Sequence, residues 1–125
     1  MFSERLLDHF ENPRNVGELP APAVAVEVSN PACGDILRLT ARIEAGRIAE
    51  VRYKVRGCTA SIAAGSALTE MMNGRDRREL AGINSAAIES AVGGLAPESR
   101  HAAVLCADAV KALLNKFEGS YTCGW

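Results

Sequence analysis

The sequence predicts an α+β domain, a small, mainly antiparallel three-stranded sheet packed by helices. Three observations carry this prediction. Between Val24 and Val55, apolar and polar residues alternate in three runs, the two-residue period of half-buried strands. Glu44-Ala45-Gly46 interrupts the second and third runs where a tight hairpin turn would fall. On both sides of this block, apolar residues recur at helical spacing.

The elements follow in order. From Ser3 to Phe10, Leu6, Leu7 and Phe10 share one helical face, with Ser3 as N-cap and Asn12-Pro13 as the stop. A loop through Asn15-Val16-Gly17 and Pro20-Ala21-Pro22 leads to a strand in which Val24, Val26 and Val28 alternate with Ala25, Glu27 and Ser29, and its valine face is expected to be buried. Leu37, Leu39, Ala41 and Ile43 alternate with Arg38, Thr40 and Arg42, and after the turn Ile48, Val51, Tyr53 and Val55 resume the pattern as the second arm of the hairpin. Ser61 to Met72 reads as a helix of small residues, with Ile62, Leu68 and Met72 as larger contacts and Asn73-Gly74 as its end. Two short helices follow, around Leu80 and from Ala87 to Val92. The last helix runs from about Arg100 to Phe117 with Ala102, Cys106, Ala109, Val110, Leu113 and Phe117 as its apolar stripe, and stops at Glu118-Gly119. The division expected is one domain over 1–117 and a mobile or partner-docked tail over 118–125.

A chain of 125 residues supports one core, and with 5% aromatic residues that core is built from small aliphatic side chains. The net charge of −1, with both signs interspersed, gives no electrostatic footprint for nucleic acid or an anionic membrane. No apolar run approaches the roughly 20 residues of a membrane span, and the first residues do not form a signal sequence, so a cytoplasmic protein is expected. The 4 cysteines then read as metal or sulfur chemistry rather than as a disulfide framework.

The chemistry collects at two thiol turns. Asn30-Pro31-Ala32-Cys33-Gly34-Asp35 precedes the first hairpin arm, and Arg56-Gly57-Cys58-Thr59 follows the second. A hairpin brings its start and finish together, so Cys33, Asp35 and Cys58 are expected to converge at one edge of the sheet as a candidate metal site. The helix that begins beside Cys58 directs its positive end and free N–H groups at the sulfur, which favours an anion there. The competing reading is a turn whose aspartate caps local backbone and whose cysteine is incidental.

These residues, with Asp8-His9-Phe10-Glu11-Asn12-Pro13-Arg14-Asn15-Val16-Gly17, Ser66-Ala67-Leu68-Thr69-Glu70 and Asp108-Ala109-Val110-Lys111-Ala112, resemble the IscU/NifU-type scaffold proteins on which iron–sulfur clusters are assembled. The likeness runs from Phe2 to about Phe117. It implies a small sheet covered by helices, with three cysteines, an aspartate and often a histidine at one exposed end. It further implies sulfur received from a cysteine desulfurase and a transient two-iron cluster passed to apo iron–sulfur proteins. Cysteine, aspartate and histidine would also suit tetrahedral zinc in the isolated protein, and a monomer or weak homodimer is expected. Carried over residue by residue, the ligands are Cys33, Asp35, Cys58 and His101.

The family's third cysteine falls on Ala102. Cys106 is the nearest replacement, one helical turn or about 6 Å farther along the same face. A lone cysteine on an apolar stripe is more often a core residue than a ligand. Cys123 offers a second replacement by fold-back or from another chain, against an incidental thiol. Leu95-Ala96-Pro97-Glu98-Ser99 stands where many members carry a Leu-Pro-Pro-Val-Lys segment for an Hsp70-type chaperone, and Phe2 stands for a tyrosine linked to scaffold pairing. His9 is given no chemistry, Asn15 is expected to make local hydrogen bonds, and Arg14 is left open between a partner and such bonds.

The reading that follows is a cluster-assembly scaffold and not an enzyme, since nothing sets a general base against a substrate pocket. Two alternatives stand beside it. One is a zinc-bound sulfur-transfer partner of a cysteine desulfurase; the other is a relative that kept the fold and lost the cluster.

Overall fold

The computed structural model describes residues 2–31 and 34–122. Its elements run α1 (Glu4–Glu11), β1 (Val24–Ser29), β2 (Ile36–Glu44), β3 (Arg47–Arg56), α2 (Thr59–Met72), α3 (Arg77–Ala81), α4 (Ser85–Ala91) and α5 (His101–Thr122), with a 3-10 turn at Pro97–Ser99 leading into α5. The expected class is found: a three-stranded antiparallel sheet in the order β1-β2-β3, packed by helices.

Alternation in the sequence becomes cross-strand rows in the sheet. Val28, Leu37 and Val55 form one row, Val26, Leu39 and Tyr53 the next, and Val24, Ala41 and Val51 the third. This face is the apolar one, with Leu37, Leu39, Ala41, Val51 and Tyr53 buried. The other face carries Arg38, whose guanidinium donates to Glu18 at 2.9 Å, and Arg52, which pairs with Glu50 at 2.6 Å. The β2–β3 hairpin closes through Ala45 (φ 54) and Gly46 (φ 77), both left-handed as a two-residue type I′ turn demands. The free edge of β3 is covered at both ends. Tyr53 N–H donates to Asn15 O and Gly17 N–H to Tyr53 O, both at 2.9 Å, while Ile48 exchanges bonds with Gly74 and Arg75.

α2 and α5 lie on the apolar face, and α2 also packs against α1 and α4. Such a position leaves α2 no solvent face along most of its length, which explains a helix of Ala60, Ala63, Ala64, Gly65, Ala67 and Leu68 with almost every residue buried. Tyr53 is among the largest fully buried side chains, and its hydroxyl donates to Ile62 O at 2.7 Å. The ring packs against α2 where a Cβ added at Gly65 would stand 2.5 Å from Tyr53 Cε2. Gly65 is therefore a seat for the tyrosine ring.

The first helix is fastened by polar contacts. Ser3 caps α1 by accepting from Leu6 N–H and also donates to Val92 O. His9, which was given no chemistry, is buried with Nδ1 2.8 Å from Ser66 Oγ, and burial ahead of the nearby Arg14 charge holds its ring below the ordinary histidine value. Arg14 donates to Asp8 at 2.6 Å, and Asn15 Nδ2 donates to Thr69 Oγ1 at 3.1 Å. Both loop residues thus bind within the chain, tying α1 and its loop to α2. Among the described residues no buried side-chain nitrogen or oxygen lacks a partner.

Two boundaries differ from expectation. α2 begins at Thr59 because Cys58 itself adopts the extended N-cap conformation (φ −80, ψ 170). α5 continues to Thr122, past the stop read at Glu118-Gly119. A single glycine costs a helix only about 1 kcal/mol, which a helix already anchored over several turns carries. Cys123 lies outside the described residues.

Gly65→Ala is expected to destabilise the fold. Overpacking costs about 1–3 kcal/mol, and the better helix propensity of alanine returns up to about 1 kcal/mol of it. Urea denaturation followed by circular dichroism checks the sign and size.

Candidate metal centre

Three element starts meet at one end of the sheet. Asp35 immediately precedes β2, Cys58 is the N-cap of α2, and His101 is the first residue of α5. The turn before β2 is closed by Gly34 N–H donating to Asn30 O at 2.7 Å and Asn30 N–H donating to Asp35 O at 2.9 Å. Ile36 pairs with Arg56 across the hairpin, so Asp35 and the Gly57-Cys58 turn are brought side by side, as the two-turn reading expects.

The three side chains touch. Cys58 Sγ lies 3.3 Å from Asp35 Oδ2 and 3.5 Å from His101 Nε2, and His101 Nε2 lies 3.5 Å from the same Asp35 oxygen. His101 Nδ1 lies 3.1 Å from Glu98 O. A carbonyl only accepts, so Nδ1 donates to it and Nε2 is the ring nitrogen turned to the cysteine and aspartate. The 3-10 turn at Pro97–Ser99 supplies that carbonyl, which gives the Leu95–Ser99 segment a role in orienting His101.

Asp35 is only 6% exposed, the most enclosed member of the group. Burial alone would raise its carboxyl. Hydrogen bonds from Ser61 Oγ at 2.5 Å, from the Cys58 thiol and from Cys58 N–H at 3.5 Å, with His101 nearby, outweigh burial and hold it below the ordinary aspartate value. Room for that carboxylate comes from Gly57, where an added Cβ would stand 2.5 Å from Asp35 Cγ.

The donor set fits a thiophilic cation. Bonds of about 2.3 Å to sulfur and about 2.0–2.1 Å to nitrogen or oxygen, at tetrahedral angles, put neighbouring ligand atoms roughly 3.3–3.6 Å apart. The observed separations of 3.3, 3.5 and 3.5 Å fall within that range. Sulfur, imidazole and carboxylate together suit zinc or iron, and the hard oxygen beside a soft thiolate makes a mixed rather than an all-sulfur site.

Cys33 lies outside the described residues. Ala102 is fully buried and offers no donor. Cys106 is not brought to the group: among the described residues the cluster holds Asp35, Cys58 and His101. Cys106 is instead 1% exposed within the core, where burial pushes its thiol up to about 12. One turn of helix is enough to carry the side chain from the sheet's end into its interior, and the candidate third ligand is therefore a core residue here.

Ser61 and the Glu98 carbonyl were missed by the sequence reading, and Gly57 was noted without a role. A signal existed for Ser61. It stands three residues after the N-cap, the spacing at which a first-turn side chain reaches back to the cap. For Gly57, placing Ala in its stead is expected to push the Asp35 carboxylate off Cys58 and His101. Zn2+ affinity, measured by competition with a chromophoric chelator, should fall about 10- to 100-fold, the range for disturbed support of a metal site.

Over residues 1–124 the chain matches the NifU-like N terminal domain family. It is 40% identical over 121 residues to the iron-sulfur cluster assembly scaffold protein IscU of Azotobacter vinelandii, covering 94% of each chain. It is 37% identical over 118 residues to the iron-sulfur cluster assembly scaffold protein IscU 1 of Archaeoglobus fulgidus, covering 94% of this chain and 77% of that one. Crystal structures share the fold. The N-terminal part of a nitrogen-fixing NifU-like protein from Brucella abortus superposes with a TM-score of 0.62 at 20% identity, covering 92% of this chain and 81% of the other. A protein from Fervidobacterium islandicum reaches a TM-score of 0.76 at 18% identity, over 90% of this chain and 96% of the other. With its family pattern spanning nearly its whole length, the chain belongs to the NifU-like N-terminal domain family.

Proposed function

We propose that this protein is an iron–sulfur cluster assembly scaffold, which binds iron, accepts sulfur from a cysteine desulfurase and passes a two-iron, two-sulfur cluster to apo-proteins. The observation that carries the proposal is the Asp35, Cys58 and His101 group, whose spacing already matches the ligand sphere of a small thiophilic cation. Cys33, from the turn that also bears Asp35, is the fourth member of the proposed set.

The residues divide the work by chemistry. Cys58 is exposed at the start of α2, within reach of a donor protein's persulfide. Its thiolate attacks the terminal sulfur, the donor's S–S bond breaks, and the donor cysteine leaves as a thiolate while the sulfur stays on Cys58. Asp35 supplies a hard ligand that lowers the softness of the site and lets the cargo leave. His101 contributes its Nε2, with the ring oriented by Glu98 O. The protein acts stoichiometrically, as a carrier and not an enzyme, and a compartment that keeps thiols reduced, such as the cytoplasm, suits it. No helix among the described residues is long and apolar enough to cross a membrane.

Ala102 favours a second reading. With two thiolates where the family pattern has three, the set Cys33, Asp35, Cys58 and His101 closes around one zinc, and the protein would relay sulfur from the desulfurase without building a cluster. Zinc would then be a resident ion.

Anaerobic incubation with ferrous iron, cysteine and a cysteine desulfurase, followed by addition of an apo-ferredoxin, tests the two. The scaffold reading expects a visible charge-transfer spectrum on this protein that moves to the ferredoxin, and its loss with Cys58→Ala. Desulfurase stimulation with zinc retained and no transferable chromophore would establish the relay reading instead.

A further inference from the structure

Ser61 is almost completely buried (1% exposed) in the first turn of α2, and it is absent from the ligand set just proposed. Its hydroxyl has two polar neighbours, Asp35 Oδ2 at 2.5 Å and Cys58 Sγ at 3.4 Å. A hydroxyl carries one proton, and the short contact to a carboxylate oxygen takes it. Asp35 Oδ2 also faces the Cys58 thiol at 3.3 Å and His101 Nε2 at 3.5 Å. When Cys58 gives up its proton to bind a cation, one of the donors on that oxygen is lost. The Ser61 proton remains.

We infer that Ser61 is the positioning residue of the site, holding the Asp35 carboxylate against the first turn of α2 so that Asp35 and Cys58 keep one spacing whether or not cargo is bound. The inference rests on the scaffold reading and adds to it a residue that touches no cargo. The physical case is threefold. Asp35 sits just before β2, where its own carbonyl accepts from Asn30 N–H, and its carboxylate is taken up by Ser61, which sits in a helix buried on nearly all sides. Gly57 leaves the space through which the carboxylate reaches the helix. A side-chain hydroxyl in a helix ordinarily bonds back to its own preceding turn; this one crosses to another element instead. Outer-shell bonds of this kind orient the ligand and typically decide about 10- to 100-fold of metal affinity.

The test uses Co2+ as the probe, added anaerobically to the reduced full chain, with affinity read by competition and site geometry by the d–d and sulfur-to-cobalt absorption bands. Ser61→Ala is compared with Asp35→Ala and with the double variant. Ser61→Ala is expected to weaken Co2+ about 10- to 100-fold and to shift the d–d bands, and to cost nothing further once Asp35 is alanine. Ser61→Thr keeps the hydroxyl and is expected to restore affinity that Ser61→Val, equal in shape, does not. An equal loss with and without Asp35, an equal effect of Thr and Val, or wild-type affinity in Ser61→Ala would overturn the inference while leaving the scaffold reading in place. A wild-type protein that gives no sulfur-to-cobalt band would remove both.

Discussion

The buried carboxylate of Asp35 is the point on which the site depends. Leaving an ionised carboxylate in a nearly closed space costs several kcal/mol unless hydrogen bonds replace the water it gives up. Here the replacements come from the Ser61 hydroxyl, the Cys58 thiol and the Cys58 N–H, all at the start of α2. Satisfying one charge therefore fixes where β2 and α2 begin relative to one another, and the first residue of α5 meets them at the same carboxylate oxygen. The cluster of potential ligands is the by-product of that closure. Gly57 contributes by having no side chain to interpose.

Behind this end the fold gives rigidity with little aromatic mass. The rows of valine and leucine on the sheet meet a helix of alanines, and such small surfaces permit backbones to come close. Among the described residues Tyr53 supplies the one large ring in the fully buried set, and it packs against Gly65 and donates to the α2 backbone. α1 is fixed to the same helix through His9, Arg14 and Asn15. α2 thus receives the sheet on one side and the first helix on another, and it presents Cys58 from the N-terminus of a helix packed along most of its length.

Most of the fold was legible because its elements are strongly periodic. The valine alternation of β1, the hairpin break at Ala45-Gly46 and the Asn73-Gly74 stop all appear where the sequence puts them. The exit of α5 was misread because glycine is a weak stop within an established helix. In the site, Asp35 and Cys58 followed from hairpin geometry alone, and His101 entered through a family resemblance. Ser61 escaped because its spacing from Cys58 points to the helix cap and not to Asp35, a partner distant in sequence, and Glu98 O because a backbone carbonyl carries no residue signature. Cys106 was ambiguous for a physical reason: a ligand stripe and a core stripe have the same helical period, and only tertiary packing separates them. In the structure it sits in the interior, among the buried residues of the core.

The account's central claim is that cargo is held at the mouth of the sheet by Asp35, Cys58 and His101 with Cys33, and that the thiol one turn deeper takes no part. Anaerobic iron and sulfide titration of the wild-type protein beside Cys106→Ala tests it most directly, with circular dichroism to verify the fold. The account predicts the same iron stoichiometry and the same visible spectrum for both. A folded Cys106→Ala protein that fails to take up iron and sulfide would contradict it, by placing the third thiolate at Cys106 after all.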